Sequence, residues 1–568
     1  MPCFRALAVF LLAAVPAPAG ELCAQNPFGA TEHAARDAQR HFEAYRRERL
    51  PRMLTFGNGT DVTVGRFRTT NDISDTPPRD EPDSIRQARR RLRDSLAVLG
   101  ASAPTSDFIV GQQVRYALEA HDYAGAKALL DHCEASAWWC DALSGLVYHS
   151  ARDEEHSNLM FTTALALMPD TLRCQWLDVH TWLPYGMGMP SGDPPCTARA
   201  MLTRRVLWLS APLLTWRPHA ARDEFFARRT MERIVAGTAI PRAVEWGSDI
   251  AEIWLRYGWP VRYSREPRDG DIANPALSPV VEHLPAPGFS LAPHRHAIDA
   301  PLEAQPDDWD LSSALAAPMM YAPGWISSIG ELPVQLARFR HGDSMVVVVA
   351  YDARMTLGDP PGEVEATALL ASAPDSTLGT AHVVSSRPLG ALIVRAPAER
   401  SLVAVEVLDT ARALAMRWRG GLEPLDHAAL ISDLLVGVAD SRSIPHTLAA
   451  MAPHAVAELK VQPGTTLALF WEMYAHASLD APVRVSLQLV PLSGSFLGRL
   501  GHLFGVSHPA PAMSLAWNDP GGGRGAVDRA VRLAIPDLPP GRYRLELEVA
   551  NDAVHGRATR DIEVLRMH

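Results

Sequence analysis

Eight prolines between residues 267 and 306 split this chain into two parts that cannot share one continuous helical or strand framework. Pro267, Pro275, Pro279, Pro285, Pro287, Pro293, Pro301 and Pro306 each lack the N–H that a helix interior or a central strand requires. Residues 267–330 therefore read as a Pro-rich connector. Loops of that length persist mainly where they are packed or functional, and Phe289, Trp309, Tyr321 and Trp325 are its candidate anchors. The whole chain has 568 residues, too many for one core, and about one domain per 150 residues predicts three or four.

Upstream of the prolines the texture is helical. Residues 25–105 form an N-terminal helical and irregular segment, with helices expected over His33 to Arg49 and Ile85 to Leu99. The Arg86 to Arg93 run is flanked by Asp80, Glu81, Asp83 and Asp94, the pattern of a solvated helix face. Residues 106–210 form a helical domain: Val110, Val114, Ala117 and Leu118 lie at i, i+4, i+7 and i+8, and Asp122 is placed to cap the next helix. In the following helix pair Gly145, Tyr148, Phe161, Ala164 and Pro169 fall at small, aromatic and terminating offsets that resemble a tetratricopeptide repeat. Such hairpins stack into arrays that present surfaces to partners.

Arg5, the apolar run Ala6 to Val15 and Ala17-Pro18-Ala19 make a secretory leader over residues 1–24, cleaved after residue 19 or 24. Export favours disulfides. Cys133 with Cys140 and Cys174 with Cys196 is the preferred pairing, because both bonds close local loops, although two other pairings use the same four residues. No cysteine spacing follows Cys-x₂-Cys, and no metal or cofactor is expected. His149, Asp153, Glu154, Glu155 and His156 lack the His-Glu-x-x-His order and read as a solvated turn. The net charge of −10 argues against a broad nucleic-acid footprint, and no later apolar run is long enough to span a bilayer.

Residues 211–266 carry the densest local signal. Trp246, Ser248, Asp249, Trp254, Arg256, Tyr257, Gly258 and Pro260 lie in one fifteen-residue stretch. The β-branched and aromatic run Ile253 to Tyr257 reads as a strand that Gly258 and Pro260 end. The stretch resembles the GWxTD-domain signature, departing from it at Glu245, Ala251 and Trp259. That resemblance implies a secreted bacterial protein and names no reaction. Read structurally, Trp246 and Trp254 are buried anchors, and Asp249 fixes the chain's entry into the strand.

Downstream, residues 331–430 and 431–568 alternate apolar and polar residues in short runs bounded by Gly, Pro and Asp, as antiparallel sandwiches do. Tyr543, Leu545, Leu547 and Val549 should face a core while Arg542, Arg544, Glu546 and Glu548 face water. Ser493 to Pro520 reads as an insertion between strands. Neither a Gly-x-Ser-x-Gly elbow nor a phosphate loop is present, and the Asp223-Glu224 and Asp307-Asp308 pairs read as solvated charge.

The expectation is an α+β multidomain chain: TPR-like helices, a mixed GWxTD-like junction, then antiparallel β-sandwiches. Its role would be non-enzymatic binding or assembly in the cell envelope, periplasmic or extracellular, with a protein or envelope component as partner. The alternative is an envelope-polymer hydrolase built on Asp249, Glu252 and Arg256.

Overall fold

The computed structural model describes residues 29–52, 60–64, 67–71, 80–183, 194–242, 247–265, 280–285, 288–311, 318–357, 362–439, 444–474, 482–492, 511–520, 525–552 and 555–566. The leader and Trp246 lie outside them. The chain is α+β and multidomain: helices first, then largely antiparallel sheets.

The helical part comprises α1 (Gly29–Arg49), α2 (Asp83–Ser102), α3 (Asp107–Leu118), α4 (Tyr123–Leu130), α5 (Ala137–Ser150), α6 (Glu154–Leu167), α7 (Asp170–Trp176), α8 (Cys196–Leu209), α9 (Ala220–Val235) and α10 (Ser248–Tyr257). Gly145 of α5 lies against the Phe161 ring of α6, so close that an added Cβ would stand 2.7 Å from it. The missing side chain sets that helix approach. The disulfides Cys133–Cys140 and Cys174–Cys196 close loops of 7 and 22 residues. The longer of them is expected to contribute about 3 kcal/mol by limiting the unfolded chain. Alkylation of any of these four cysteines in unreduced protein, read by peptide mapping, would contradict the pairing.

A strand expected over Ile253 to Tyr257 is instead the second half of α10. Ile250, Ile253, Trp254 and Tyr257 repeat at i, i+3, i+4 and i+7, a helical stripe, and all four are buried. Propensity read over five residues missed a period that needs ten. Gly258, at φ +86°, then turns the chain out of the helix.

Before and after α10 runs a four-stranded sheet of β1 (Thr60–Val64), β2 (Phe67–Asn71), β3 (Arg262–Arg265) and β4 (Val280–His283), in the order β1-β2-β4-β3. Its β4 lies within the Pro-rich region. Of that region's candidate anchors, Trp309 and Tyr321 are buried in the helical core, with Phe289 and Trp325 packed against it.

The first sandwich contains β5 (Ser328–Glu331), β6 (Val334–His341), β7 (Ser344–Asp352), β8 (Val364–Ala373), β9 (Ser376–Ser385), β10 (Leu389–Pro397), β11 (Ser401–Asp409) and β12 (Leu414–Leu422). Sheets β10-β7-β6 and β5-β12-β11-β8-β9 enclose its core. The second contains β13 (Leu435–Val438), β14 (Lys460–Val461), β15 (Thr466–Tyr474), β16 (Val483–Pro491), β17 (Met513–Asp519), β18 (Ala526–Ala534), β19 (Gly541–Ala550) and β20 (His555–Val564). Its sheets are β13-β15-β18 and β14-β20-β19-β16-β17. Along β19 burial alternates as expected, and the Tyr543 hydroxyl donates to the Pro539 carbonyl at 2.8 Å, pinning the corner before the strand. The end of the expected insertion is β17, paired with β16; residues 493–510 lie outside the described set.

Three strands are buried on both faces because both faces are covered. In β7, Met345, Val347, Val349 and Tyr351 enter the first sandwich core, whereas Val346 and Val348 meet Leu435 and Phe470 of the second sandwich. In β15, Ala468 and Phe470 share that seam while Leu467, Leu469 and Trp471 face inward. In β11, Val403, Val405 and Val407 point inward, and Leu402, Ala404 and Leu408 join the helical core. Helical part, first sandwich and second sandwich thus stack in series.

Candidate functional site

Where α2, α3, α5, α9 and α10 converge with residues 285–325, they enclose a cavity of about 750 Å³. That is within the range of sites for ligands of several rings. Met231, Trp254 and Tyr257 are among its apolar lining. Two similar turns supply a histidine and an arginine. After α3, His121 has φ 55°, the Asp122 N–H bonds the Ala117 carbonyl at 2.9 Å, and the Asp122 carboxylate caps α4 by accepting from the Gly125 N–H at 2.9 Å. After α5, Arg152 has φ 64°, the Asp153 N–H bonds the Tyr148 carbonyl at 2.9 Å, and the Asp153 carboxylate accepts from the His156 N–H at 3.3 Å. Left-handed backbone at such a turn suits glycine and strains other residues by about 1–3 kcal/mol. Here a histidine and an arginine take the position, and both line the cavity.

A chain of buried polar groups backs one wall. His149 Nε2 lies 2.8 Å from Glu224 Oε2, and Arg228 Nε donates to Glu224 Oε1 at 2.5 Å. Arg228 then donates to the carbonyls of Leu255 at 3.1 Å, Arg256 at 2.7 Å and Met320 at 2.5 Å, tying α9 to the end of α10. Burial pushes the Glu224 carboxyl up, but the Arg228 charge and the His149 bond outweigh it and hold it at about 2. Burial opposes charge on His149 as well, and Glu224 nonetheless raises it.

Asp223, fully buried beside Glu224, behaves oppositely. Burial lifts its carboxyl to about 7 against the pull of Arg222 and His149. Its Oδ1 meets Asn158 Nδ2 at 3.3 Å, while Oδ2 has no hydrogen-bond partner among the described residues. The pair expected as solvated charge is thus inside the protein, because α9 is covered by α5, α6 and α10. An acid whose folded pKa is raised stabilises the fold fully below its unfolded value, about pH 4, and loses that contribution as pH climbs through about 7. Asp223→Asn should therefore gain stability relative to the parent between pH 5 and pH 8, on the order of a few kcal/mol. Thermal melts at the two pH values test this; an unchanged difference would refute a buried proton on Asp223.

A second network joins α1, α2 and α3. Arg115 bonds Glu43 at 2.9 Å and Glu119 at 3.1 Å, the Tyr116 hydroxyl donates to Glu43 at 2.7 Å, and Arg46 bridges Glu81 at 2.6 Å and Glu119 at 3.0 Å. Arg89 pairs with Glu81 and is buried, which corrects the reading of Arg86 to Arg93 as a wholly solvated face. His149 and Glu154 likewise leave the supposed solvated turn: His149 reaches Glu224, and Glu154 pairs with Arg217 at 2.9 Å.

Among the described residues, the cavity lining holds ten arginines against five carboxylates. Glu43, Asp83 and Asp122, just outside it, neutralise part of the excess. Arg90 and Arg152 remain, both exposed and without a carboxylate partner among the described residues. Partly exposed Tyr123, Trp259 and Trp325 line the same cavity. No group of three His, Cys, Asp or Glu among the described residues is placed to hold a metal, and no described helix is long and apolar enough to cross a membrane.

The residues singled out in the sequence divide sharply. Trp254, Tyr257, Gly258, Trp259 and Pro260 line the cavity. Asp249, Glu252 and Arg256 are not part of its lining. Ser248 is exposed at the start of α10, and Asp249 Oδ1 accepts from the Ile250 N–H at 3.0 Å. Arg256 pairs with Glu252 at 2.8 Å and donates to the Pro318 carbonyl at 2.8 Å. His149, Arg152, Glu224 and Arg228 were not expected at a site. Only Arg152 had a local signal, a polar residue standing before a capping Asp, at 152–153 as at 121–122.

Fold and site together define an α+β protein of stacked sandwiches with an arginine-lined cavity in its helical part. No protein-family model matches the chain, and no curated protein matches it. Among solved structures, Escherichia coli alpha-2-macroglobulin activated by porcine elastase shows a slight likeness, at 14% identity and a TM-score of 0.13. That likeness covers 41% of this chain and 23% of the other.

Proposed function

We propose that this chain is an exported binding protein of the bacterial cell envelope, a divergent GWxTD-domain protein with TPR-like hairpins, that holds an anionic ligand in the arginine-lined cavity. One observation carries this reading: a chain of net charge −10 concentrates arginines in one cavity and leaves Arg90 and Arg152 unmatched there. Guanidinium groups are suited to carboxylates and phosphates because their planar fork donates two parallel hydrogen bonds. The disulfides and the leader support export. A hydrolase using Asp249 and Glu252 is the weaker reading, since neither carboxylate lines the cavity.

Tryptophan fluorescence titrations with citrate and pyrophosphate test the proposal, because Trp254, Trp259 and Trp325 report on the cavity. Saturable binding that weakens with salt is expected. The double variant Arg90→Gln, Arg152→Gln should lose about tenfold or more in affinity, equivalent to about 1.4 kcal/mol. No saturable response to either anion, or turnover of an envelope polymer abolished by Asp249→Asn, would overturn it.

A further inference from the structure

The cavity does not end at its own mouth. Arg90 and Arg93 of α2 line it and also line a second groove of about 400 Å³, whose other walls include Asp94, Ala97, Gln113 and Leu129; Arg93 also pairs with Asp122, the cap of α4. The two hollows thus share a ridge of two arginines. With Arg86 they form an i, i+4, i+7 stripe, and consecutive guanidiniums are separated by about 4.5–6 Å of helix rise. A compact anion has no use for a cationic ridge with space on both sides. An elongated ligand with repeated negative charges does.

Three observations narrow its class. The step along the stripe is comparable to one pyranose ring with its glycosidic oxygen, and exceeds the spacing of adjacent phosphates in a polyphosphate. Tyr123, Trp259 and Trp325 leave aromatic surface partly open in the cavity, and the C–H faces of a sugar ring pack on such surfaces while its hydroxyls and carboxylate turn toward donors. The walls of the second groove come from helices α2, α3 and α4, whose main-chain groups are already hydrogen-bonded, so an extended peptide would find few backbone partners there. Nucleic acid is disfavoured by the overall charge of −10.

Resting on the anion-binding reading above, we infer that the ligand is an acidic oligosaccharide of uronate type, running from the cavity over Arg90 and Arg93 into the second groove. Arg152 and His121 would take the carboxylate of the sugar seated in the cavity. Arg90 would take that of the next sugar, and Arg93, shared with Asp122, the one after it.

Calorimetric titration of the full exported protein with galacturonate oligomers of one, three and six residues tests this, with neutral glucose oligomers, linear polyphosphate and polyglutamate as comparisons. Affinity is expected to rise at least tenfold from monomer to hexamer, with neutral oligomers much weaker at every length. Arg90→Gln with Arg93→Gln should abolish the gain with length, whereas Arg152→Gln should weaken every uronate, the monomer included, by a similar factor. Thermal melts establish that these surface variants are folded. Uronate affinity independent of length would overturn the extended ligand while leaving the anion cavity standing. Polyphosphate or polyglutamate binding tighter than the hexamer would overturn the sugar class. Failure of every anion to bind would remove both readings.

Discussion

Glu406→Gln should destabilise the chain by about 3–5 kcal/mol, the usual cost of removing one partner from a buried charge cluster. Glu406 lies on the face of β11 turned toward the helical part. It accepts from the Leu214 N–H at 2.6 Å, the Thr215 N–H at 2.8 Å and the Thr215 hydroxyl at 2.6 Å. Beside it, Arg419 donates to the Leu209 and Ala211 carbonyls at 2.9 Å each, and Arg417 to the Pro212 carbonyl at 2.9 Å. Burial drives both guanidinium pKa values down, and Glu406 is the nearby carboxylate that opposes it.

Glutamine keeps the shape but removes the charge and replaces one acceptor with an NH₂ that would face a backbone donor. Two buried cations would then lack their counter-charge. Because the clamp joins two parts of a large chain, the loss need not appear as one shifted two-state transition. Unfolding followed by far-ultraviolet circular dichroism should show the helical signal melting earlier and apart from the sheet signal. A variant that melts together with the parent would show that the clamp adds nothing to docking.

Trp254→Ala should cost about 3–5 kcal/mol, as truncation of buried aromatics does. The indole is 3% exposed, packs in the helical core and lines the cavity. Near it the buried Glu282 carboxyl has its pKa raised by burial, which Arg242, 3.0 Å away, and Trp254 oppose. Alanine would leave a void and weaken the support of a buried acid. Asp249→Asn, in the first turn of the same helix, should cost much less, about 1 kcal/mol, since the amide keeps the shape and an oxygen that can accept from the Ile250 N–H at 3.0 Å. Denaturant melts of both variants separate the cases: a Trp254→Ala protein as stable as its parent would exclude the indole as an anchor.

What the sequence by itself determined was the order of textures. Helical periodicity before residue 235, the proline string, and alternating runs after residue 331 each reflect local rules of backbone and burial, so they survive without knowledge of neighbours. The disulfide pairing belongs with them, because short loops bring cysteines together at little entropic cost. The α10 stretch was misread because aromatic and β-branched residues suit either a strand or a buried helix, and only the surrounding core chose between them. Tertiary structure alone decided the rest. In β7, β11 and β15 two buried faces serve different cores, and nothing local says which neighbour covers each face. The cavity is the extreme case. Arg90, Arg152, Glu224 and Trp254 meet across more than 160 positions of sequence, and a charge becomes matched or unmatched only when folding decides which opposite charge lies within reach.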